Sequence, residues 1–102
     1  MTLLDRIMAY VEGRYPEDVT LESVARESFV SESTVSHLVK EKLGVSFPRY
    51  LTQRRLIAAK TLIGQGLPLE QVAERCGFRD YSGFYRAFRQ EYGISPRKFR
   101  SL

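Results

Sequence analysis

The chain has 102 residues, a net charge of +4 and 43% hydrophobic residues, enough apolar material for one small domain or two very small ones. No stretch approaches the roughly 20 apolar residues of a membrane span, and the charged residues among the first twenty argue against a signal peptide. One cysteine and one histidine exclude an internal disulfide and a structural zinc site of protein ligands, and they favour a reducing cytoplasm.

The first half of the chain predicts three helices. Apolar residues recur at helical spacing over 3–13, and Tyr15-Pro16 ends this helix because a residue that precedes proline avoids helical geometry. Thr20 is the predicted N-cap of a short second helix, and Ser31 opens a third that Gly44 stops. The residues of the third helix that point inward are Val35, Leu38, Val39 and Leu43.

A long helix is predicted over residues 46–64, with Ser46 as its cap and Pro48 tolerated in its first turn. Its apolar residues lie on more than one side, which is typical of a helix with neighbours on two sides. They are Phe47, Tyr50, Leu51, Ile57, Ala58, Leu62 and Ile63. At about 1.5 Å per residue the helix is roughly 28 Å long, close to the ~34 Å between successive major-groove faces on one side of B-DNA.

The second half of the chain predicts three more helices, and no segment alternates as a strand does. A short helix covers 69–76, a turn follows at Gly77, and a longer helix begins after its cap Asp80. Ser95-Pro96 is a strong cap and first-turn pair for a last helix over 96–101. The prediction is therefore an all-α fold of seven helices.

Two segments of the first half return in the second. Leu21-Glu22-Ser23-Val24-Ala25 returns 48 positions later as Leu69-Glu70-Gln71-Val72-Ala73, and Leu43-Gly44-Val45-Ser46 returns 49 positions later as Tyr92-Gly93-Ile94-Ser95. A repeated unit of this pattern in a small basic protein predicts tandem helix-turn-helix units that bind two stretches of one DNA duplex. The predicted organisation is an N-terminal helix-turn-helix subdomain over 1–45, a linker helix over 46–64 and a C-terminal subdomain over 65–102.

The charge differs between the two halves. Residues 1–45 carry five Lys or Arg and eight Asp or Glu, giving −3, whereas residues 46–102 carry eleven and four, giving +7. A basic region of this kind suits binding to a phosphate backbone. On charge alone, an ordinary solvated basic surface is an equally good interpretation.

In a helix-turn-helix, the second helix (the recognition helix) packs one face on its partner and presents the other to base edges. Arg86 is the best candidate for a bidentate contact to guanine, and Lys40 suits a phosphate. The whole predicted DNA-binding set is Ser31, Ser33, Thr34, Ser36, His37 and Lys40 in the first unit, and Tyr81, Ser82, Tyr85, Arg86 and Arg89 in the second.

Each of these residues also has a plainer interpretation as part of a solvated or packed surface. The serine and tyrosine faces can instead dock another protein, so a protein-interaction module without direct DNA contact is the main alternative function. A small enzyme is disfavoured because no phosphate loop, metal cluster or nucleophile with a base is visible, and no cofactor is expected. Cys76 is interpreted as a small buried hydrophobe, because the only histidine, His37, lies in the other unit.

A specific pattern of residues extends through the second half. It comprises Val72-Ala73, Cys76-Gly77-Phe78, Asp80-Tyr81-Ser82, Phe84, Arg86, Phe88, Tyr92-Gly93-Ile94-Ser95-Pro96 and Phe99-Arg100. This pattern resembles the signature region of the AraC/XylS family of bacterial transcription regulators. A looser match over 21–63 extends the resemblance to practically the whole chain.

The resemblance implies two helix-turn-helix subdomains joined by the long helix, with base contacts from Ser33, Ser36, His37, Tyr81, Ser82, Tyr85 and Arg86. It implies binding of asymmetric promoter sites through adjacent major-groove insertions, usually to activate transcription by contacting RNA polymerase, in the bacterial cytoplasm at the nucleoid. Family members usually carry an effector-binding or dimerisation domain. The chain is therefore expected to be either a free-standing short regulator or the C-terminal module of a longer protein.

Two features depart from the family pattern. Phe29 stands where the second unit has Gly77, and a bulky residue with positive φ is strained, so the first turn is expected to differ in geometry. The first recognition helix has no arginine, although such helices often carry one. We therefore expect the first unit to contact bases weakly or through water, and the second unit to supply more of the affinity.

Overall fold

The structure is a computed structural model that describes all of residues 1–102. It contains seven α-helices and no strand, which confirms the predicted all-α fold. The helices are α1 (Leu3–Arg14), α2 (Leu21–Ser28), α3 (Glu32–Leu43), α4 (Phe47–Gly64), α5 (Leu69–Arg75), α6 (Tyr81–Tyr92) and α7 (Pro96–Arg100). No helix combines the length and the apolar character that crossing a membrane would require.

Local side-chain chemistry sets where the helices begin and end. Backbone N–H groups at the helix starts donate hydrogen bonds of 2.8 to 3.1 Å to the capping oxygens of Thr20, Ser31, Asp80 and Ser95. Ser46 caps α4 in the same way at 3.3 Å. Gly44 and Gly93 end α3 and α6 with left-handed backbones, at φ values of 78° and 79°. These caps satisfy polar groups that the helix itself leaves unpaired, which is why the sequence predicts them.

The chain forms two compact units, Met1–Leu51 and Thr52–Leu102, and the division between them falls inside α4. The buried residues of α4 are Phe47 and Leu51 in the first unit and Leu56, Ala59 and Ile63 in the second. Helix α4 is thus the last helix of the first unit and the first helix of the second, which explains its apolar residues on more than one side. Ile57, by contrast, is 55% exposed and belongs to neither core.

The core of the first unit is mostly aliphatic. Helices α1, α2 and α3 pack on one another and on the start of α4. Besides the α4 residues, the buried hydrophobic side chains are Ile7, Val11, Val19, Val24, Ala25, Val35 and Val39. The recognition-helix candidate α3 is therefore anchored by Val35 and Val39, with Leu38 and Leu43 partly buried against the same core.

The core of the second unit is built around aromatic rings. The ring centroid of Phe88 lies 5.7 Å from that of Phe84, 4.8 Å from that of Tyr92 and 5.6 Å from that of Phe99. The Tyr92 and Phe99 pairs meet edge to face, a geometry that aromatic rings favour. Lys60 of α4 places its ammonium 4.6 Å from the Tyr92 ring centroid. These contacts join α4, α6 and α7 in one cluster.

Candidate nucleic-acid interface

The turn from α2 to α3 and the turn from α5 to α6 have the same conformation at their helix ends. Phe29 adopts a left-handed backbone with φ 59° and ψ 39°, and Gly77 at the equivalent position has a φ of 97°. In each turn the next residue donates its N–H to the carbonyl five positions earlier, at 3.1 Å from Val30 and 3.0 Å from Phe78. The expectation that the first turn avoids this geometry was therefore wrong. Phe29 adopts a left-handed backbone conformation that is sterically unfavourable for any residue with a Cβ atom.

The two turns do differ in length. The cap of α3, Ser31, follows Phe29 by two residues, whereas the cap of α6, Asp80, follows Gly77 by three. The extra residue is Arg79, which is exposed immediately before that cap. The repeat offset changes from 48 to 49 at this point, and this change is the signal that identifies Arg79. The predicted DNA-binding set does not include this cation.

Helix α3 presents the polar face that the sequence predicts. Val35 and Val39 are fully buried, while Ser33, His37 and Lys40 are exposed and Ser36 is half-buried. The imidazole Nε2 of His37 lies 3.5 Å from a carboxylate oxygen of Glu41, one turn further along the helix. The exposed polar face is therefore physically available to a ligand.

Two further predicted residues of this unit serve as the cap of α3. The Ser31 hydroxyl lies 2.8 Å from the Thr34 hydroxyl and also accepts a hydrogen bond from the Thr34 backbone N–H at 3.1 Å. Both hydroxyls thus have intramolecular partners. A surface groove of about 390 Å³ lies beside them, between the start of α1 and α3, and is lined by Leu3, Ser33, Thr34, His37 and Leu38.

Helix α6 places its two arginines in solvent and its phenylalanines in the core. Arg86, Arg89 and Ser82 are exposed, and Phe84 and Phe88 are fully buried. The guanidinium groups of both arginines take part in none of the ion pairs within the chain. The side chains that suit base and phosphate contacts are thus on the outer side of the helix.

Two of the three tyrosines of α6 belong to the predicted DNA-binding set, and both are less exposed than its outer-face assignment implies. Tyr81 and Tyr85 are both half-buried. The Tyr81 ring centroid lies 5.9 Å from that of buried Phe84 and 6.3 Å from that of Tyr85. The first tyrosine therefore packs on the core, so only part of each ring remains for a partner. The assignment of all eleven predicted residues to DNA stays a prediction.

Other chemistry finds little support around these helices. No group of three or more His, Cys, Asp or Glu side chains is placed to hold a metal ion. Cys76 is fully buried, and this burial raises the pKa of its thiol to about 11, although Arg54 and Arg55 act in the opposite direction. The thiol is therefore protonated and shielded at neutral pH.

Comparison with known proteins identifies the fold and the family. A family model described as a helix-turn-helix domain matches residues 24–101. The chain is 38% identical over 99 residues to the transcriptional regulator YijO of Escherichia coli, covering 96% of this chain and 35% of that protein. The chain belongs to the AraC/XylS family. Members of this family are transcription regulators that bind DNA, a class of protein distinct from enzymes.

Another AraC/XylS relative is the transcriptional activator RhaS of Salmonella arizonae, 36% identical over 98 residues. The match covers 95% of this chain and 35% of RhaS. The chain thus spans little more than a third of the length of these curated relatives.

Solved structures of AraC/XylS relatives have the same fold. The C-terminal domain of AraT, a response regulator of Geobacillus stearothermophilus, superposes with a TM-score of 0.94 at 34% identity, covering 99% of this chain and 85% of that one. An AraC-type DNA-binding regulator of Chromobacterium violaceum superposes with a TM-score of 0.91 at 26% identity, covering 97% and 89%. Two helix-turn-helix units joined through a long helix are therefore confirmed as the architecture.

Proposed function

We propose that this domain binds a promoter sequence in duplex DNA by placing α3 and α6 in adjacent major-groove segments. Residues 1–45 and 65–102 act as the two DNA-binding subdomains, and residues 46–64 link them. The observation that carries the proposal is the duplication itself. In each unit the helix before the recognition helix, α2 or α5, is followed by a residue with a left-handed backbone. The recognition helix, α3 or α6, then begins at a side-chain cap and has an exposed polar face.

Sequence preference comes from a small number of side chains. The Arg86 guanidinium has a planar fork of donors that matches the two acceptors of guanine in the major groove. Ser33, Ser36 and His37 are shorter and contact base edges directly or through water. Because the two faces differ, the bound site is asymmetric.

The domain serves transcription, and its effect on a promoter is activation through contact with RNA polymerase. This part of the proposal rests on similarity to RhaS, an activator by its printed description. The site of action is the nucleoid in the bacterial cytoplasm, where the DNA lies. A reporter gene behind the selected binding site tests it: expression rises with this protein if it activates, and unchanged or reduced expression contradicts activation.

Selection of bound duplexes from a random pool, followed by gel-shift titration at rising salt, tests DNA binding. The logarithm of the affinity should fall linearly with the logarithm of salt concentration, by about 0.9 for each phosphate neutralised. We expect a total slope of several units and two footprints on the selected site. A flat salt dependence, or no binding at low salt, would instead support the protein-interaction module.

Lys40 offers a sharper form of the same test. Lys40→Ala should weaken binding to all sequences alike and reduce the salt slope by about one, because one phosphate contact is lost. Lys42→Ala is the matched control, since Lys42 is exposed on the same helix but lies close to the Glu41 carboxylate, at 3.8 Å. Equal slopes for the two variants would contradict a phosphate contact at Lys40.

A further inference from the structure

A second basic feature of the C-terminal unit lies outside the predicted DNA-binding set. A groove of about 430 Å³, which we call the α7 groove, lies between the start of α5, the start of α6 and α7. Its lining residues are Pro68, Leu69, Glu70, Tyr81, Arg97 and Arg100. Two arginines and a single glutamate line the groove, which leaves it with a net positive charge.

The two arginines of the α7 groove have different roles. The Arg100 guanidinium donates a hydrogen bond to the backbone carbonyl of Leu67, which holds that side chain against the loop before α5. Arg97 is exposed and takes part in none of the ion pairs of the chain. A guanidinium carries five N–H donors, so even Arg100 keeps donors for an anion. The groove thus has one anchored and one available cation.

The α7 groove is continuous with the recognition helix of the same unit. Tyr81 is the first residue of α6 and also lines the groove. The groove therefore opens at the N-terminal end of α6, the same helix that carries Arg86 and Arg89, where the sugar-phosphate backbone beside a bound major groove would be its partner. A tyrosine hydroxyl and guanidinium groups are common partners of backbone phosphates.

Comparison of the repeats indicates that the helical arrangement does not require a cation at position 97. At an offset of 49, the first unit has Pro48 in place of Arg97 and Leu51 in place of Arg100. Leu51 is buried in the first core, where no cation is needed. The second unit reaches the same helical arrangement with two surface guanidiniums added. For Arg97, which takes part in none of the ion pairs of the chain, this favours a role in binding, whereas Arg100 also has a structural role through the Leu67 carbonyl.

We propose that the α7 groove binds a backbone phosphate of the duplex that α6 contacts, with Arg97 as the principal ligand and Arg100 as the second. The proposal rests on the proposed DNA-binding function and extends it to the last helix. It adds a sequence-independent contact to the second unit alone. The second unit then contacts the duplex both through α6 and through the neighbouring α7 groove.

The test compares two single charge removals on the same helix of the full chain. Arg97→Ala should lower the salt slope by about 0.9 and weaken binding about tenfold at 0.1 M salt, on the selected duplex and on an unrelated one. Lys98→Ala is the control, because Lys98 is the adjacent exposed cation and does not line the groove. It should change affinity less than about twofold.

Equal effects from the two variants, or no effect from Arg97→Ala, would contradict phosphate binding in the α7 groove. Neither result would contradict DNA binding by the domain. A second measurement locates the contact. Selected duplexes are prepared with single phosphates replaced by neutral methylphosphonates, and each is titrated with wild type and Arg97→Ala. At one phosphate near the bases that α6 contacts, the methylphosphonate should weaken DNA binding by the wild-type protein but not by Arg97→Ala. Additive losses at every phosphate would also overturn the proposal.

Discussion

The two units of this domain have the same backbone conformation around the recognition helix and differ in the side chains of their cores. Both have a left-handed helix end, a side-chain cap on the recognition helix and a glycine stop after it. The buried pair on the recognition helix is Val35 and Val39 in the first unit but Phe84 and Phe88 in the second. Backbone hydrogen bonding thus defines the motif, while core volume and surface charge vary between the copies.

The largest difference is expected in the two cores. Phe88→Ala should lower the free energy of unfolding by about 3–5 kcal/mol, because a large ring with three aromatic neighbours is removed. Val39→Ala, the equivalent change in the first unit, removes about two methylene equivalents and should cost about 2 kcal/mol. Urea denaturation followed by circular dichroism measures both. Equal losses would show that the aromatic cluster adds nothing beyond the valine core.

The next difference concerns base recognition. Arg86→Ala should cost about 1–3 kcal/mol of binding free energy and relax the preference at one base pair, because a bidentate contact is lost. His37→Ala, the equivalent change in the first unit, should cost less than about 1 kcal/mol, since its imidazole has one available contact at most. Competition titrations with single-base variants of the selected duplex measure both. An unchanged preference after Arg86→Ala would remove that arginine from the base-contacting set.

The third difference is the residue at the left-handed position of each turn, and it is tested by exchanging phenylalanine and glycine between the two turns. Phe29→Gly should raise the free energy of unfolding by about 1 kcal/mol, because glycine adopts positive φ without a steric penalty. Gly77→Phe should lower it by about 1–2 kcal/mol for the same reason. Thermal unfolding checks the pair. Phe29→Ala is the control: it removes the exposed ring but keeps the strain, so a stabilisation equal to that of Phe29→Gly would refute strain as the cause.

The last difference, which is confined to high pH, is at the C-terminal ends of α2 and α5. Cys76 occupies the position that Ser28 has in the first unit, and both side chains are buried. Because the folded pKa of Cys76 is raised to about 11 from 9.0, the unfolded thiol ionises first, and stability should fall as the pH rises from about 9 to 11. Below that window the effect should vanish.

Cys76→Ser isolates this contribution, since serine does not titrate in the window. The wild-type unfolding free energy should decline relative to that of the variant between pH 9 and pH 11. Native wild type should also react slowly with a thiol reagent at pH 8 and rapidly once unfolded. Parallel pH profiles for the two proteins would mean that the thiol ionises equally in both states.

Much of the fold could be predicted because its signals are local. The caps Ser31 and Asp80 and the stops Gly44 and Gly93 depend on residues within one helical turn, and the sequence places them correctly. The buried residues of α4 could not be predicted fully. Leu56 and Ala59 are buried because two cores share that helix, so no single apolar stripe identifies its inner face.

Prediction of the candidate site was limited by tertiary packing. The spacing of Tyr81 and Tyr85 places both on the outer face of α6, yet the ring of Tyr81 turns onto Phe84. Arg79 lies outside the predicted set because it belongs to a turn and not to a helical face. Arg97, which we propose as a phosphate ligand, lies outside that set because the groove it lines is formed by segments almost 30 positions apart in the chain.

The shared helix α4 has a consequence for biosynthesis. Every buried residue of the first core lies between Ile7 and Leu51, so a nascent chain holds that complete core before the other half is translated. The second core draws on α4 and on the rings of α6, so it cannot close until α6 has also been made. Protein folding on the ribosome proceeds from the N-terminus. The aliphatic core can therefore form first, from residues that leave the ribosome before those of the aromatic core.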